Sequence, residues 1–127
     1  MTGPRSTVIP MQLSNGCLVV SIQVDLAPET MNDLRKQLLE KVKDTGATAV
    51  IFDMSGMDII DDREFEDLKQ TIKMLHLMGV RSVLSGLKPA IISALTALDV
   101  DLQGVNGAMD LDQAHQFIEQ ERREASN

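Results

Sequence analysis

The sequence predicts a single α/β domain on a mixed β-sheet with parallel interior strands and about four helices. Three observations carry this. Two β-favouring runs flank Asn15-Gly16, so the chain opens on a hairpin. Thr48–Asp53 (T-A-V-I-F-D) is a continuous apolar run of strand length, and a strand without polar alternation is covered on both faces, as interior parallel strands are. Downstream, helical and strand patterns alternate, which requires parallel crossovers, right-handed by the usual chirality. The 127 residues hold one core. The domain is expected over 7–121, with 1–6 and 122–127 as flexible termini.

The hairpin joins Thr7–Leu13 to Cys17–Val24 through Ser14-Asn15-Gly16, and Asn-Gly supplies the positive φ angles of a tight turn. Pro10 lacks an N–H and places the first strand at an edge. Pro28 then opens a helix on Met31, Leu34, Leu38 and Val42, with Gly46 positioned to cap its end. After the buried strand a second helix starts near Asp61, its stripe being Phe65, Leu68, Ile72 and Leu75 with Met78 one position round. Asp61 and Glu64 have capping-box spacing. Gly79 ends that helix and Arg81–Ser85 is a short strand. Pro89 opens a third helix on Ile91, Ile92, Leu95 and Leu98. Residues 100–109 admit a short edge strand, and Asp110 with Gln113 starts a last helix through Leu111, Ala114, Phe117 and Ile118. Arg122 and Arg123 suit its negative end.

Composition narrows the function classes. Twelve Lys+Arg against nineteen Asp+Glu leave a net charge of −7, the wrong sign for a surface that tracks phosphates, so no nucleic-acid partner is expected. With three Phe and no Tyr or Trp, stacking platforms for single-stranded bases are missing as well. Cys17 is the single cysteine, which excludes an intrachain disulfide and a cysteine metal cage. Cys17 reads as a buried inert thiol. His76 and His115 read as surface or boundary residues without a nearby nucleophile, and the eight methionines as gap-fillers in an aromatic-poor core. No stretch is long and apolar enough to span a membrane and no secretory leader is legible, so a cytoplasmic location without membrane contact is expected.

The densest chemistry lies in Asp53–Glu64, after the buried strand, where α/β sheets meet ligands and partners. Six carboxylates fall within residues 58–67, but the loop lacks the central Gly of a calcium loop, and the twelfth position from Asp58 is Lys69 where a bidentate Glu is needed. No metal or cofactor is expected. Asp53, at a strand end with Ser85 and Lys88-Pro89 downstream, gives an alternative reading: a divergent phosphoreceiver using Asp53. That reading lacks the acidic pair after the first strand that would hold Mg²⁺, and here Lys-Pro begins a helix three residues after Ser85. No nucleophile–base pair or phosphate loop is present, so the chain is not expected to be an enzyme.

The order hairpin, helix, D-M-S-G-M-D-I-I-D-D, helix, strand, G-L-K-P-A-I-I-S-A-L resembles STAS domains, the fold of anti-sigma-factor antagonists. It is most similar to the small single-domain scaffold of bacterial stressosomes (RsbS-type). The opening V-I-P-M-Q-L-S-N-G-C-L-V-V-S-I-Q, the stretch L-M-G-V-R-S-V-L-S-G and the late G-A-M-D-L-D-Q-A support the likeness, which covers about residues 8–120. The resemblance implies a STAS-like fold with helices mostly on one face. It also implies a non-catalytic interaction module in a stress-signalling partner-switching complex. Its implied partners are STAS-containing sensor paralogues and a serine/threonine kinase-like switch protein, in a homodimer or larger assembly.

In that family an Asp followed by Ser or Thr at a helix N-terminus is phosphorylated by a partner kinase. The motif falls on Asp61 and Asp62, where a carboxylate replaces the acceptor hydroxyl. Asp62 either imitates the modified state in part or is a plain first-turn residue in a member without phosphoregulation. The partner surface implied is Ser55, Gly56, Asp58, Asp61, Asp62, Arg63 and Lys88, with Ile59 and Ile60 anchoring the loop.

Overall fold

A computed structural model describes residues 9–23, 26–98 and 101–126. Thr7, Val8 and Val24, expected in strands, lie outside the described residues, as do the N-terminal segment 1–6 and Asn127. The elements in chain order are β1 (Met11–Ser14), β2 (Cys17–Ser21), α1 (Pro28–Thr45), β3 (Ala49–Asp53), α2 (Asp62–Leu77), β4 (Arg81–Ser85), α3 (Pro89–Ala97), β5 (Gly107–Ala108) and α4 (Leu111–Ser126). They build one five-stranded sheet in the order β1-β2-β3-β4-β5. β1 pairs antiparallel with β2, and every later pair is parallel. The mixed sheet with a parallel interior is as the sequence predicts.

The hairpin turn is tighter than a three-residue connection. Ser14 pairs with Cys17, so Asn15 and Gly16 alone make the loop, at φ 54° and 76°. Both central residues of such a hairpin turn need positive φ, which Asn and Gly tolerate best. β2 is shorter than its apolar run: it ends at Ser21, and Ile22 then donates its N–H to the Asp53 carbonyl at 3.0 Å.

Side-chain alternation sorts the core into two layers. Leu18, Val20, Val50, Phe52 and Leu84 face α1, α2 and α3, while Cys17, Ala49, Ile51 and Val83 face α4. All three parallel crossovers thus lay their helix on one face, and α4 covers the other. Ala49 through Phe52 are fully buried because β3 is central and covered on both sides.

The helices bury most of the expected stripes, with departures in α3 and α4 and at Met78. In α3 only Ile91 and Leu95 are buried; Ile92 and Leu98 are exposed. A helix of nine residues presents one i, i+4 pair to the sheet, Ile92 is turned about 100° from it, and Leu98 already lies past the last turn. In α4, Leu111 is exposed while Ala114 and Ile118 are buried. α4 also runs to Ser126, past the boundary expected at 121. Arg122 in this extension donates to the Asn15 carbonyl at 3.1 Å and to the Thr48 hydroxyl at 2.8 Å, fastening α4 to the hairpin turn. Cys17 is buried beneath it, and burial raises its thiol pKa despite the opposing Arg122 charge. Met31, Met54 and Met57 fill the core as expected, whereas Met78 and Met109 are exposed.

At the end of α1, Gly46 sits at φ 68° and donates to the Val42 carbonyl at 2.9 Å. A Cβ there would meet nothing within 4 Å, so Gly46→Ala adds backbone strain without a clash. Urea denaturation of Gly46→Ala is expected to show a loss of about 1–2 kcal/mol with an unchanged m-value.

Candidate partner-binding site

The segment after β3 is a short, heavily tethered loop. Met54 donates its N–H to the Ser85 carbonyl at 2.8 Å, and Met57 donates to the Met54 carbonyl at 3.0 Å. Met54, Met57 and Ile60, three residues apart, insert into the core beneath the helices. Ser55, Gly56, Asp58 and Ile59 face out. This corrects the expectation for Ile59: it is 78% exposed, and Met57 anchors the loop beside Ile60. Two adjacent isoleucines in an extended segment point to opposite sides, so one alone can face the core.

Close backbone contacts account for the small residues. A Cβ on Gly56 would lie 3.1 Å from Gln23 Cγ and 3.3 Å from the Ile22 carbonyl, so the loop presses against the chain leaving β2. Asp53 Oδ1 accepts from the Ser55 N–H at 3.0 Å and from the Ser55 hydroxyl at 2.7 Å, closing the turn on itself. The carboxylate at the centre of the phosphoreceiver alternative is thus engaged in shaping the loop. Among the described residues no three His, Cys, Asp or Glu side chains are gathered as ligands for a cation.

The start of α2 is fixed by a complete capping box. Asp61 Oδ1 accepts from the Glu64 N–H at 2.7 Å, and Glu64 Oε1 accepts from the Asp61 N–H at 3.0 Å. Glu64 does more than the motif requires. It is buried, and its Oε2 accepts from the Leu26 N–H at 2.9 Å. Arg63 completes the clamp by donating from Nη2 to the Leu26 carbonyl at 3.0 Å and from Nη1 to Asp67 at 2.9 Å. The first turn of α2 therefore satisfies both backbone groups of Leu26, in the connection between β2 and α1.

Asp62 is the first residue of α2, exposed, with Oδ1 accepting from the Arg63 N–H at 2.9 Å. Negative charge at this end is favoured by the helix dipole. Lys88, the N-cap residue of α3, reaches across to ion-pair with Asp58. The hydrogen bond and then the charge of Lys88 lower the Asp58 pKa. Ser55, Gly56, Asp58, Asp61, Asp62 and Arg63 are all exposed, and half-buried Lys88 is joined to them through Asp58. Arg63 is exposed, but its guanidinium is engaged by the Leu26 carbonyl and Asp67. The Leu26 clamp was not legible in the sequence, because its partners are 37 and 38 residues apart and one side of each bond is backbone.

The chain belongs to the STAS-domain family, whose profile matches residues 8–120. Among curated proteins it is similar to the RsbT co-antagonist protein RsbRB of Bacillus subtilis (strain 168), with 26% identity over 102 residues, 80% of this chain and 37% of that relative. The chain therefore spans little more than a third of that protein's length. Among solved structures it is similar to RsbS of Moorella thermoacetica carrying a serine-to-glutamate substitution, at 23% identity and a TM-score of 0.77 over 92% of this chain and 99% of that one. It is also similar to a chain from the molecular architecture of the stressosome, at 22% identity and a TM-score of 0.75, over 90% of this chain and 99% of that one. These likenesses show the fold. Among the described residues no helix is long and apolar enough to cross a membrane.

Glu64→Ala strands two N–H groups, one of them on the buried Leu26, and is expected to lower stability by about 2–4 kcal/mol in urea denaturation. Glu64→Gln keeps the shape but turns an NH2 toward one N–H donor and should cost about 1–2 kcal/mol. Equal stability of all three proteins would remove the clamp from the account of this site.

The Asp58 carboxyl gives a pH signature. Its folded pKa lies below the unfolded value, so the Asp58–Lys88 pair contributes fully above the unfolded pKa and is lost as pH falls through the lowered one. NMR titration should place the Asp58 midpoint below the usual aspartate range, and Lys88→Met should return it to that range.

Proposed function

We propose that this member of the STAS-domain family is a non-catalytic interaction module, a scaffold or antagonist in a stressosome-like partner-switching complex. In this reading Asp62 occupies the position where relatives carry a phospho-acceptor hydroxyl, and the rim Ser55, Gly56, Asp58, Asp61, Asp62, Arg63 and Lys88 meets the partner. One observation carries the reading: Asp62 stands exposed at the first position of α2, on a loop pinned from beneath by Met54, Met57 and Ile60. A rigid rim loses little conformational entropy on association, so its contacts are spent on affinity and discrimination.

The partners proposed are STAS-containing sensor paralogues and a serine/threonine kinase-like switch protein, a reading supported by the similarity to the RsbT co-antagonist protein RsbRB. Self-association to a dimer or a larger assembly fits the exposed edge strand β1 and the similarity to a stressosome chain. The chemistry at residue 62 sets the switch. A phosphoserine carries about −1.5 to −2 charge and three acceptor oxygens, whereas Asp62 offers a single charge on a shorter stem. It holds that charge permanently, without a kinase.

The test compares wild type, Asp62→Ser and Asp62→Ala for binding to the candidate switch kinase, with intact mass after ATP is added. Asp62→Ser should lose only about 0.3–1 kcal/mol of folding stability, the charge–dipole contribution. Its binding should change more than its stability, and an 80 Da adduct should form on that variant alone. If all three bind alike and the serine variant is never phosphorylated, residue 62 is not the switch.

A further inference from the structure

The end of the sheet away from Asp62 carries a second feature. β5 pairs with β4 only at Leu84 and Ser85, so the Arg81–Val83 half of β4 runs beyond it as an open edge. Between this edge, the C-terminal part of α2 and the 103–106 segment lies a cavity of about 510 Å³, within the ~300–1,000 Å³ range of small-molecule sites. Ile72, Leu77, Val80 and Val105 give it apolar walls.

Ser82 lines the same cavity. It is 7% exposed, and its hydroxyl oxygen is buried without a hydrogen-bond partner. Buried hydroxyls in folded proteins are nearly always paired, so an orphan in a cavity wall points to a ligand that completes it. Two residues along β4, Leu84 donates its N–H to the Asn106 carbonyl at 2.8 Å, which ties the 103–106 segment to the strand beside the cavity.

The charge around the cavity is positive, on a chain whose net charge is −7. Lys69, Lys73 and Arg81 line it against Glu121. Lys69 is buried and committed to the Asp101 carbonyl and to Glu66 at 3.2 Å, and Arg81 is committed to Glu121 at 2.8 Å. Among the described residues no carboxylate pairs with Lys73, so its ammonium is the charge left for a ligand.

We propose that this cavity binds a small amphipathic carboxylate. Its apolar body lies over Ile72, Val80 and Val105, its carboxylate meets Lys73, and the Ser82 hydroxyl donates to one of its oxygens. The site is separate from the partner rim and stands whether or not Asp62 is a switch.

The probe is sodium decanoate below its critical micelle concentration, titrated into the full chain and followed by amide NMR. Saturable shifts should cluster at Ile72, Lys73, Ser82 and Val105, and decyltrimethylammonium should bind at least tenfold more weakly. Lys73→Glu, an exposed change that leaves the core intact, should weaken decanoate at least fivefold. Ser82→Val should weaken it at least threefold without lowering the unfolding temperature. If Ser82→Val does not fold, the Lys73→Glu and cation comparisons decide. The proposal is overturned by non-saturable shifts, by shifts that map elsewhere, by a cationic amphiphile binding as tightly, or by Lys73→Glu leaving the affinity unchanged.

Discussion

A carboxylate taken out of water must recover its hydrogen bonds inside the protein, and Glu64 recovers them from two backbone N–H groups distant in sequence. One belongs to Asp61, at the threshold of α2; the other to Leu26, before α1. A capping box alone would fix where α2 begins. The added bond to Leu26 fixes where that beginning sits relative to the sheet, because the Leu26 side chain is itself fully buried in the core. Arg63 repeats the constraint on the Leu26 carbonyl. The loop between β3 and α2 is therefore held at both ends, by the Met54–Ser85 bond at one and the Leu26 clamp at the other. The exposure of Asp58, Ile59 and Asp62 is a consequence of that double tether.

The same helix is held along its length by polar contacts where apolar ones would be expected. Arg35 of α1 donates to the Thr71 hydroxyl and to the Asp67 carbonyl, each at 2.8 Å, although Thr71 is fully buried. Half-buried polar pairs of this kind add little net stability but penalise any rotation of α2 that would leave a donor unpaired. In an aromatic-poor core of Leu, Ile, Val and Met side chains, which pack in many ways, such bonds supply a direction. They keep one face of α2 on the sheet and leave Asp61 and Asp62 in solvent.

Most of the fold was legible because it rests on local rules. Asn15-Gly16, Pro28, Gly46, Pro89 and the Asp61–Glu64 spacing each announce an element end, and the unbroken Ala49–Phe52 run announces a strand covered on both faces. What stayed hidden was set by geometry between elements. That Ile60 faces inward while Ile59 faces outward depends on the path of an extended loop, which residue type cannot distinguish. The exposure of Ile92 and Leu98 depends on how short α3 is. The parallel crossovers could be expected from the alternation, but the strand order and the two-residue length of β5 could not. That brevity leaves the Ser82 edge open. The site rim was legible as a cluster, yet the turning of Arg63 onto Leu26 was not.

The two ways of reading Asp62 differ in what its carboxylate is bonded to when no partner is present. At a helix start, the first N–H groups lack intrahelical acceptors and favour an anion. Here Asp61 takes the Glu64 N–H and Asp62 takes the Arg63 N–H, so the chain's own carboxylates already fill part of that anion site. A serine hydroxyl at this position could accept the same N–H but would bring no charge to the helix start. With aspartate the favourable charge–dipole contribution is present as soon as the chain folds. The helix start is capped by the chain's own carboxylates before any partner arrives.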